Sequence, residues 1–263
     1  MSGKKYYKKD QTSSENFNNE LRLEGRNPVM EALRSDRPID KIYVQSGEKN
    51  GSVLKILSLA REKKIPVMEV EKNKLDKMSS TNAHQGVIAS VAAKEYSSVE
   101  DILSYAKEKG EAPFIVICDD ISDPHNLGSI IRTANAAGVH GVIIPKRNGV
   151  GLTATVAKTS AGAIEFTRVA KVTNIAKTID MLKENNVWVV GADMDGEKNI
   201  YEHDFSGSVA IVIGSEGFGI SRLVKEKCDF IVNIPMVGRI SSLNASVAGA
   251  LMIYEALRGR LGR

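Results

Sequence analysis

The sequence has little cysteine, few aromatics and no long apolar run. Its two cysteines, Cys118 and Cys228, stand far apart, without CxxC or histidine spacing around them. That excludes a disulfide framework and a zinc site, so no metal is expected. No apolar run approaches the roughly 20 residues that cross a bilayer. The opening segment MSGKKYYKKDQTSSENFNNE has lysines but no apolar stretch behind them, so it is not a secretory leader. The expectation is a soluble, cytoplasmic protein without a membrane partner. Several enzyme signatures are missing as well. There is no GxxxxGK[ST], GxSxG or HExxH, and the histidines at 84, 125, 140 and 203 are scattered.

What is present suits a folded chain with an anionic partner. Of the 263 residues 42% are hydrophobic, enough for a real core. The net charge of +4 favours nucleic acid only mildly. Its placement says more. Lys4, Lys5, Lys8 and Lys9 bracket Tyr6 and Tyr7, and Arg258, Arg260 and Arg263 crowd the other end. Cations interleaved with aromatics suit phosphate contact and base stacking, although a solvated tail has the same composition.

Residues 1–20 are polar and nearly free of aliphatics, which predicts a disordered basic tail. Residues 21–93 read as a small α/β domain. A helix opens around Pro28, strands are expected at Lys41–Gln45, Pro66–Val70 and Gln85–Ala92, and a helix at Ser52–Lys63. Residues 94–112 turn charged, with a short helix near Val99–Lys107, and are expected to be a linker. In residues 113–263 short continuous apolar runs recur at Phe114–Cys118, Val142–Ile144, Val187–Val190, Val209–Ile213 and Ile231–Ile234. Such runs belong in a parallel sheet covered by helices on both faces. Asn174–Lys183 and the last helix each place apolar residues on one face, the latter Val247, Leu251 and Tyr254.

In such sheets ligands bind beyond the carboxyl ends of the strands. Three strand ends carry loops rich in Gly, Asn and Ser. They are Asp119 to Arg132, Gly214-Ser215-Glu216-Gly217-Phe218-Gly219, and Pro235 to Ser246. Each has a structural reading: Asn126 as a helix cap, the glycines as a tight turn, and Ser241, Ser242 or Asn244 as caps of the final helix. The second loop spaces its glycines in reverse of the dinucleotide fingerprint, and the acidic residue expected ~20 positions later is absent. Three such loops at consistent strand ends favour a binding site.

Asn126-x-Gly128-x-x-x-Arg132, Gly214-Ser215-Glu216-Gly217, and Ile234-Pro235-Met236 with Ser242-Leu243-Asn244-x-Ser246-Val247-Ala248 resemble the three signature motifs of the SpoU/TrmH family of RNA ribose 2′-O-methyltransferases. The resemblance runs from about Pro113 to Arg258; Ala245 stands where valine is commoner. Gly25-Arg26-Asn27-Pro28-Val29-x-Glu31-Ala32-Leu33 and His84-Gln85-Gly86-Val87 are similar to the signatures of the L30e-like RNA-binding domain that many members carry. The pairing of both pieces is most similar to the RlmB-type branch, which methylates a guanosine of 23S rRNA; other branches act on other rRNA or tRNA sites.

The resemblance implies a parallel α/β sheet with a deep trefoil knot, a homodimer, an RNA partner and S-adenosylmethionine as cofactor. It implies that Gly214, Gly217, Ile234, Ser242 and Leu243 hold the cofactor, and that Asn126, Arg132, Glu216 and Asn244 serve catalysis. Two readings of Arg132 stay open: a structural ion pair with Glu216, or a fork of donors for a phosphate or the developing alkoxide. The proton acceptor also stays open between Glu216 and a phosphate oxygen. Two other functions compete, a non-catalytic RNA-binding relative and a methyltransferase for a small molecule or protein. The intact polar residues oppose the first, and the front domain with its basic ends opposes the second.

Overall fold

A computed structural model describes residues 21–35, 38–47, 49, 51–79, 81 and 83–262. The expected tail, residues 1–20, and Arg263 lie outside them. The chain divides after Val91 into two compact units.

The first unit runs β1 (Leu21–Glu24), α1 (Arg26–Arg34), β2 (Ile39–Gln45), α2 (Gly51–Glu62), β3 (Val67–Val70), α3 (Lys72–Met78) and β4 (Val87–Val91). The strand order is β1-β4-β2-β3, with β4 antiparallel to both neighbours and β3 parallel to β2. Because strand side chains alternate, Val87 and Ala89 of β4 join Val29, Leu33, Val53 and Ile56 of α1 and α2, whereas Ile88 packs with Leu75 and Met78 of α3. Strand β1 and helix α3 were not anticipated from the sequence; both are short, and each has only two large apolar residues.

The second unit runs α4 (Val99–Glu108), β5 (Phe114–Cys118), α5 (Pro124–Ala136), β6 (Gly141–Pro145), α6 (Ala154–Thr159), α7 (Ala163–Phe166), β7 (Arg168–Val172), α8 (Ile175–Glu184), β8 (Trp188–Ala192), β9 (Lys198–Asn199), β10 (Val209–Ile213), α9 (Arg222–Lys227), β11 (Phe230–Asn233) and α10 (Ala245–Arg260). Its seven strands are all parallel, in the order β7-β6-β5-β10-β8-β11-β9. Both faces are covered. Phe114, Val116, Val209 and Ile211 pack with Leu127 and Ile131 of α5 and with Met252 and Ile253 of α10. On the other face Ile115, Ile117, Ala210 and Val212 pack with Ile102 of α4, Ile179 of α8 and Val224 of α9.

The supposed linker, residues 94–112, is corrected by this packing. Helix α4 is closed by a capping box between Ser98 and Asp101, and Val99 and Ile102 enter the core of the second unit. Lys94 is tied down too, donating to the carbonyls of Ile164 and Glu165 at 2.8 Å each. The charged residues that suggested a tether are simply the outer face of an amphipathic helix.

Helix α10 departs from expectation in a different way. Its buried residues include Gly249, Met252, Ile253 and Ala256, while Val247, Leu251 and Tyr254 remain 48%, 37% and 51% exposed. The one-sided stripe found in the sequence points outward, because the helix is apolar on both sides.

Candidate functional site

The central strands β5, β10, β8 and β11 end side by side, and their carboxyl-terminal loops build the site. Chain order reverses between β5 and β10: β5 leads outward to β6 and β7, and the chain returns on the far side of β10. Loops therefore diverge at this point and leave a crevice.

Helix α5 begins one turn earlier than the candidate cap implied. Asp123, not Asn126, is the N-cap, accepting from the His125 N–H at 2.8 Å, with Pro124 in the first turn. Asn126 is thereby released from capping and is buried. Its Nδ2 donates to Glu216 Oε1 at 2.9 Å, and its Oδ1 accepts from Asn244 Nδ2 at 2.9 Å. Asn244 Nδ2 also donates to Glu216 Oε1, which accepts the Ala245 N–H at 3.4 Å as well. The three motifs therefore meet in one hydrogen-bonded trio. Asn244 is the N-cap of α10 too, its Oδ1 accepting from the N–H groups of Ser246 and Val247.

Arg132 is not part of this trio. It lies about 120° around α5 from Asn126, since each residue turns the helix by about 100°. Its side chain is exposed and has no hydrogen-bond or ion-pair partner among the described residues. The ion pair with Glu216 is absent, and an exposed guanidinium needs no partner to offset desolvation.

The loop after β10 is a closed hairpin. Ser215 N–H donates to Gly219 O and Gly219 N–H to Ser215 O, each at 3.0 Å, and Phe218 at the tip is 92% exposed. Gly217 and Gly219 adopt φ of +86° and +65°, which favours glycine. A Cβ on Gly214 would lie 2.1 Å from the Gly219 carbonyl carbon. The absent side chain at 214 is needed first by the loop's own crossing.

Gly214, Gly217, Ile234, Ser242 and Leu243 all line one cavity of about 300 Å³, together with Glu216. Ala245 and Ala248 add apolar wall. Two wall residues were missed from the sequence, Asp193 and Met194, which follow β8. An acid immediately beyond an apolar strand was the available signal. Buried Asp119 supports the site from below, accepting the Ser221 N–H at 2.7 Å. Burial, with Asp119 next to it, raises the Asp120 carboxyl above its ordinary value. Cys118, also buried beside Asp119, is pushed up to about 12, and burial with nearby acids takes Cys228 to about 12 as well. Neither thiol is a nucleophile at neutral pH.

The first unit has its own concentration of unusual groups. Its two signatures meet: Gly25 N–H donates to Val87 O at 3.0 Å and Arg26 Nε to Gln85 O at 3.0 Å. Beside them a cavity of about 480 Å³ is lined by Arg26, Lys49 and Lys72. His84 is held by Asp76 at 2.8 Å and accepts the Gly86 N–H at its Nδ1.

The SpoU rRNA Methylase family pattern matches residues 113–254. The chain belongs to that family. Residues 22–97 match the family described as RNA 2′-O ribose methyltransferase substrate binding. The chain is 50% identical over 236 residues to YacO of Bacillus subtilis, assigned to the TrmH family of tRNA/rRNA methyltransferases, covering 90% of this chain and 94% of that one. Its fold is similar to that of the SpoU methyltransferase AviRb from Streptomyces viridochromogenes, solved with the cofactor AdoMet. That match has a TM-score of 0.58 and 25% identity over 92% of this chain and 91% of that chain. A crystal structure of an RNA 2′-O ribose methyltransferase matches with a TM-score of 0.53 and 27% identity over 92% and 90%. As a family member this protein is an RNA methyltransferase, and all three loops lie within the matched residues.

Two of the C-terminal arginines make intramolecular contacts. Arg260 Nη2 donates to Ala112 O at 2.6 Å and its guanidinium lies over the Phe114 ring. Arg258 pairs with Glu255 at 2.6 Å.

Proposed function

We propose that this protein methylates a ribose 2′-hydroxyl of structured RNA, a guanosine of 23S rRNA, using S-adenosylmethionine and acting as a cytoplasmic homodimer. The observation that carries the reading is the Asn126–Glu216–Asn244 trio beside the cavity lined by Gly214, Ile234 and Leu243.

The cavity suits the cofactor by its chemistry. An apolar wall of Ile234, Leu243 and Ala248 accommodates a purine, and at Gly217 no neighbouring atom fills the space a side chain would take. When bound, the cofactor supplies a methyl group already activated on a sulfonium. The chain's task is then to hold and orient the ribose. Glu216 Oε1, which takes three donors, fixes the amides of Asn126 and Asn244. Its Oε2 has no partner among the described residues and is available to the ribose hydroxyl. Arg132, exposed and unpaired, takes an RNA phosphate or the developing alkoxide.

The first unit captures RNA through Arg26, Lys49 and Lys72. The outward stripe of α10 supports the homodimer. Val247, Leu251 and Tyr254 flank an apolar groove with Ile200 and Tyr201, and a second copy of the chain covers it.

Radiolabelled methyl transfer to 23S rRNA and to tRNA, with ribose-methylation mapping in a strain lacking the protein, tests the assignment. A missing methyl on a 23S guanosine supports it, one on tRNA corrects the substrate, and no missing ribose methyl in any RNA refutes it.

A further inference from the structure

On the β8 side of the cavity, with β10 between it and the strand that leads to Asn126, stands one acid whose two oxygens are treated differently. Asp193 Oδ1 receives Lys225 Nζ at 3.0 Å and the Asp195 N–H at 3.2 Å. Lys225 also reaches Asp195 Oδ2 at 3.2 Å, and these carboxylates raise its pKa. The backbone of Asp193 is fixed as well, its N–H donating to Val232 O at 3.0 Å and its carbonyl accepting the Gly196 N–H at 3.2 Å. The side chain is only 17% exposed. Its other oxygen, Oδ2, has no partner among the described residues. It lies 3.3 Å from where a Cβ on Gly219 would sit, at the cavity wall.

A purely structural ion pair between α9 and the loop after β8 would use Oδ1 alone. It gives no role to Oδ2, which is not sealed in the interior but stands at the cavity wall, free to accept from a bound group. Resting on the reading that this cavity takes S-adenosylmethionine, we propose that Asp193 recognises the ribose of the cofactor. Its Oδ2 accepts a hydrogen bond from a ribose hydroxyl, and Lys225 is the positioning residue that holds it in place. Two arguments select the ribose over the cofactor's ammonium group. Lys225 already offsets the charge of Asp193, which suits a neutral hydroxyl donor. The reacting end of the cofactor belongs beside Asn126 and Glu216, on the other side of β10.

The test is calorimetry on the full chain with three probes. They are S-adenosylmethionine, 5′-methylthioadenosine, which keeps the ribose but lacks the amino acid, and the 2′,3′-dideoxy form of the latter. Asp193→Ala should weaken the first two by about 10- to 100-fold, the range for losing a hydrogen bond to a charged group. It should leave the dideoxy probe as the wild type binds it. Lys225→Met should weaken the first two by a smaller factor. The near-isosteric Asp193→Asn, with a weaker acceptor, should fall between wild type and Ala, and it decides the matter if Ala does not fold. Wild-type affinity in the Asp193 variants overturns the proposal. So does a loss confined to S-adenosylmethionine, which would assign Asp193 to the ammonium, or an equal loss for the dideoxy probe, which would make the residue structural. A wild-type protein that binds none of the probes refutes the cofactor reading itself.

Discussion

Ile102 occupies the space that a side chain at Gly141 would need: a Cβ there would lie 2.4 Å from Ile102 Cδ1. Helix α4 is thus keyed into strand β6, and the second unit begins at residue 92 rather than after a tether. A fragment of residues 92–263 should fold, bind cofactor and methylate RNA poorly. A fragment starting at 110 loses Val99, Ile102 and Ala106 from the core and should be insoluble or molten. Burying one such side chain is worth about 1.5–3 kcal/mol. Near-ultraviolet circular dichroism and cofactor titration of both fragments check this. A cooperative, cofactor-binding 110–263 fragment would return α4 to the role of linker.

Glu216→Gln keeps the size of the side chain but replaces the shared acceptor with an amide that faces two other amides. Turnover should fall by about 100-fold or more, with cofactor affinity within a few-fold of wild type. Single-turnover methyl transfer alongside calorimetry separates the two effects.

Arg132→Ala should change stability by less than about 0.5 kcal/mol, as surface substitutions without partners do. Turnover should nonetheless drop sharply, and Lys should restore little of it. Thermal unfolding paired with methyl transfer decides; normal turnover would remove Arg132 from the reaction.

The glycines of the β10 loop should separate by cause. Gly214→Ala forces a Cβ into backbone at 2.1 Å and should abolish cofactor binding by displacing the loop. Gly217→Ala meets no atom within 4 Å and bears only the strain of a positive φ, about 1–2 kcal/mol. It should bind more weakly but measurably. Equal behaviour of the two would sink the distinction.

His140 is buried, its Nδ1 accepting the Phe114 N–H at 2.9 Å. Burial holds its pKa below the ordinary 6.5, outweighing the Glu111 hydrogen bond that acts the other way. A depressed folded-state value means that its stabilisation is present above 6.5 and lost as pH falls through the lower folded value. Burial depresses His203 too. The unfolding midpoint should therefore decline as pH drops from 6.5, and His140→Gln should flatten part of that slope. A slope unchanged in the variant would exclude His140 as a source.

The sheet and the site loops were legible because continuous apolar runs such as Phe114–Cys118 and Val209–Ile213 mark buried parallel strands. The loops that follow them hold residues with little use in a core. Strand β7 was missed because, at the sheet edge, Arg168-Val169-Ala170-Lys171-Val172 interrupts its apolar residues with cations. Periodicity found the stripe on α10 but could not tell which of two apolar faces turns inward. For Arg132 the ion-pair reading stayed open because its helical neighbours are small and apolar, and only the structure shows that the helix turns it outward. Asp193 escaped notice because its role depends on Lys225, distant in sequence.

The double engagement of Asn244 limits what this position tolerates. Its oxygen closes the start of α10 while its nitrogen serves Glu216 and Asn126. Among good capping residues only asparagine offers an acceptor and a two-hydrogen donor on one short fork. Aspartate would keep the cap and set a second carboxylate against Glu216; alanine would give up both. The same amide that starts the last helix is thus a checkpoint through which folding and chemistry pass together, and a variant cannot be selected for one without being tested for the other.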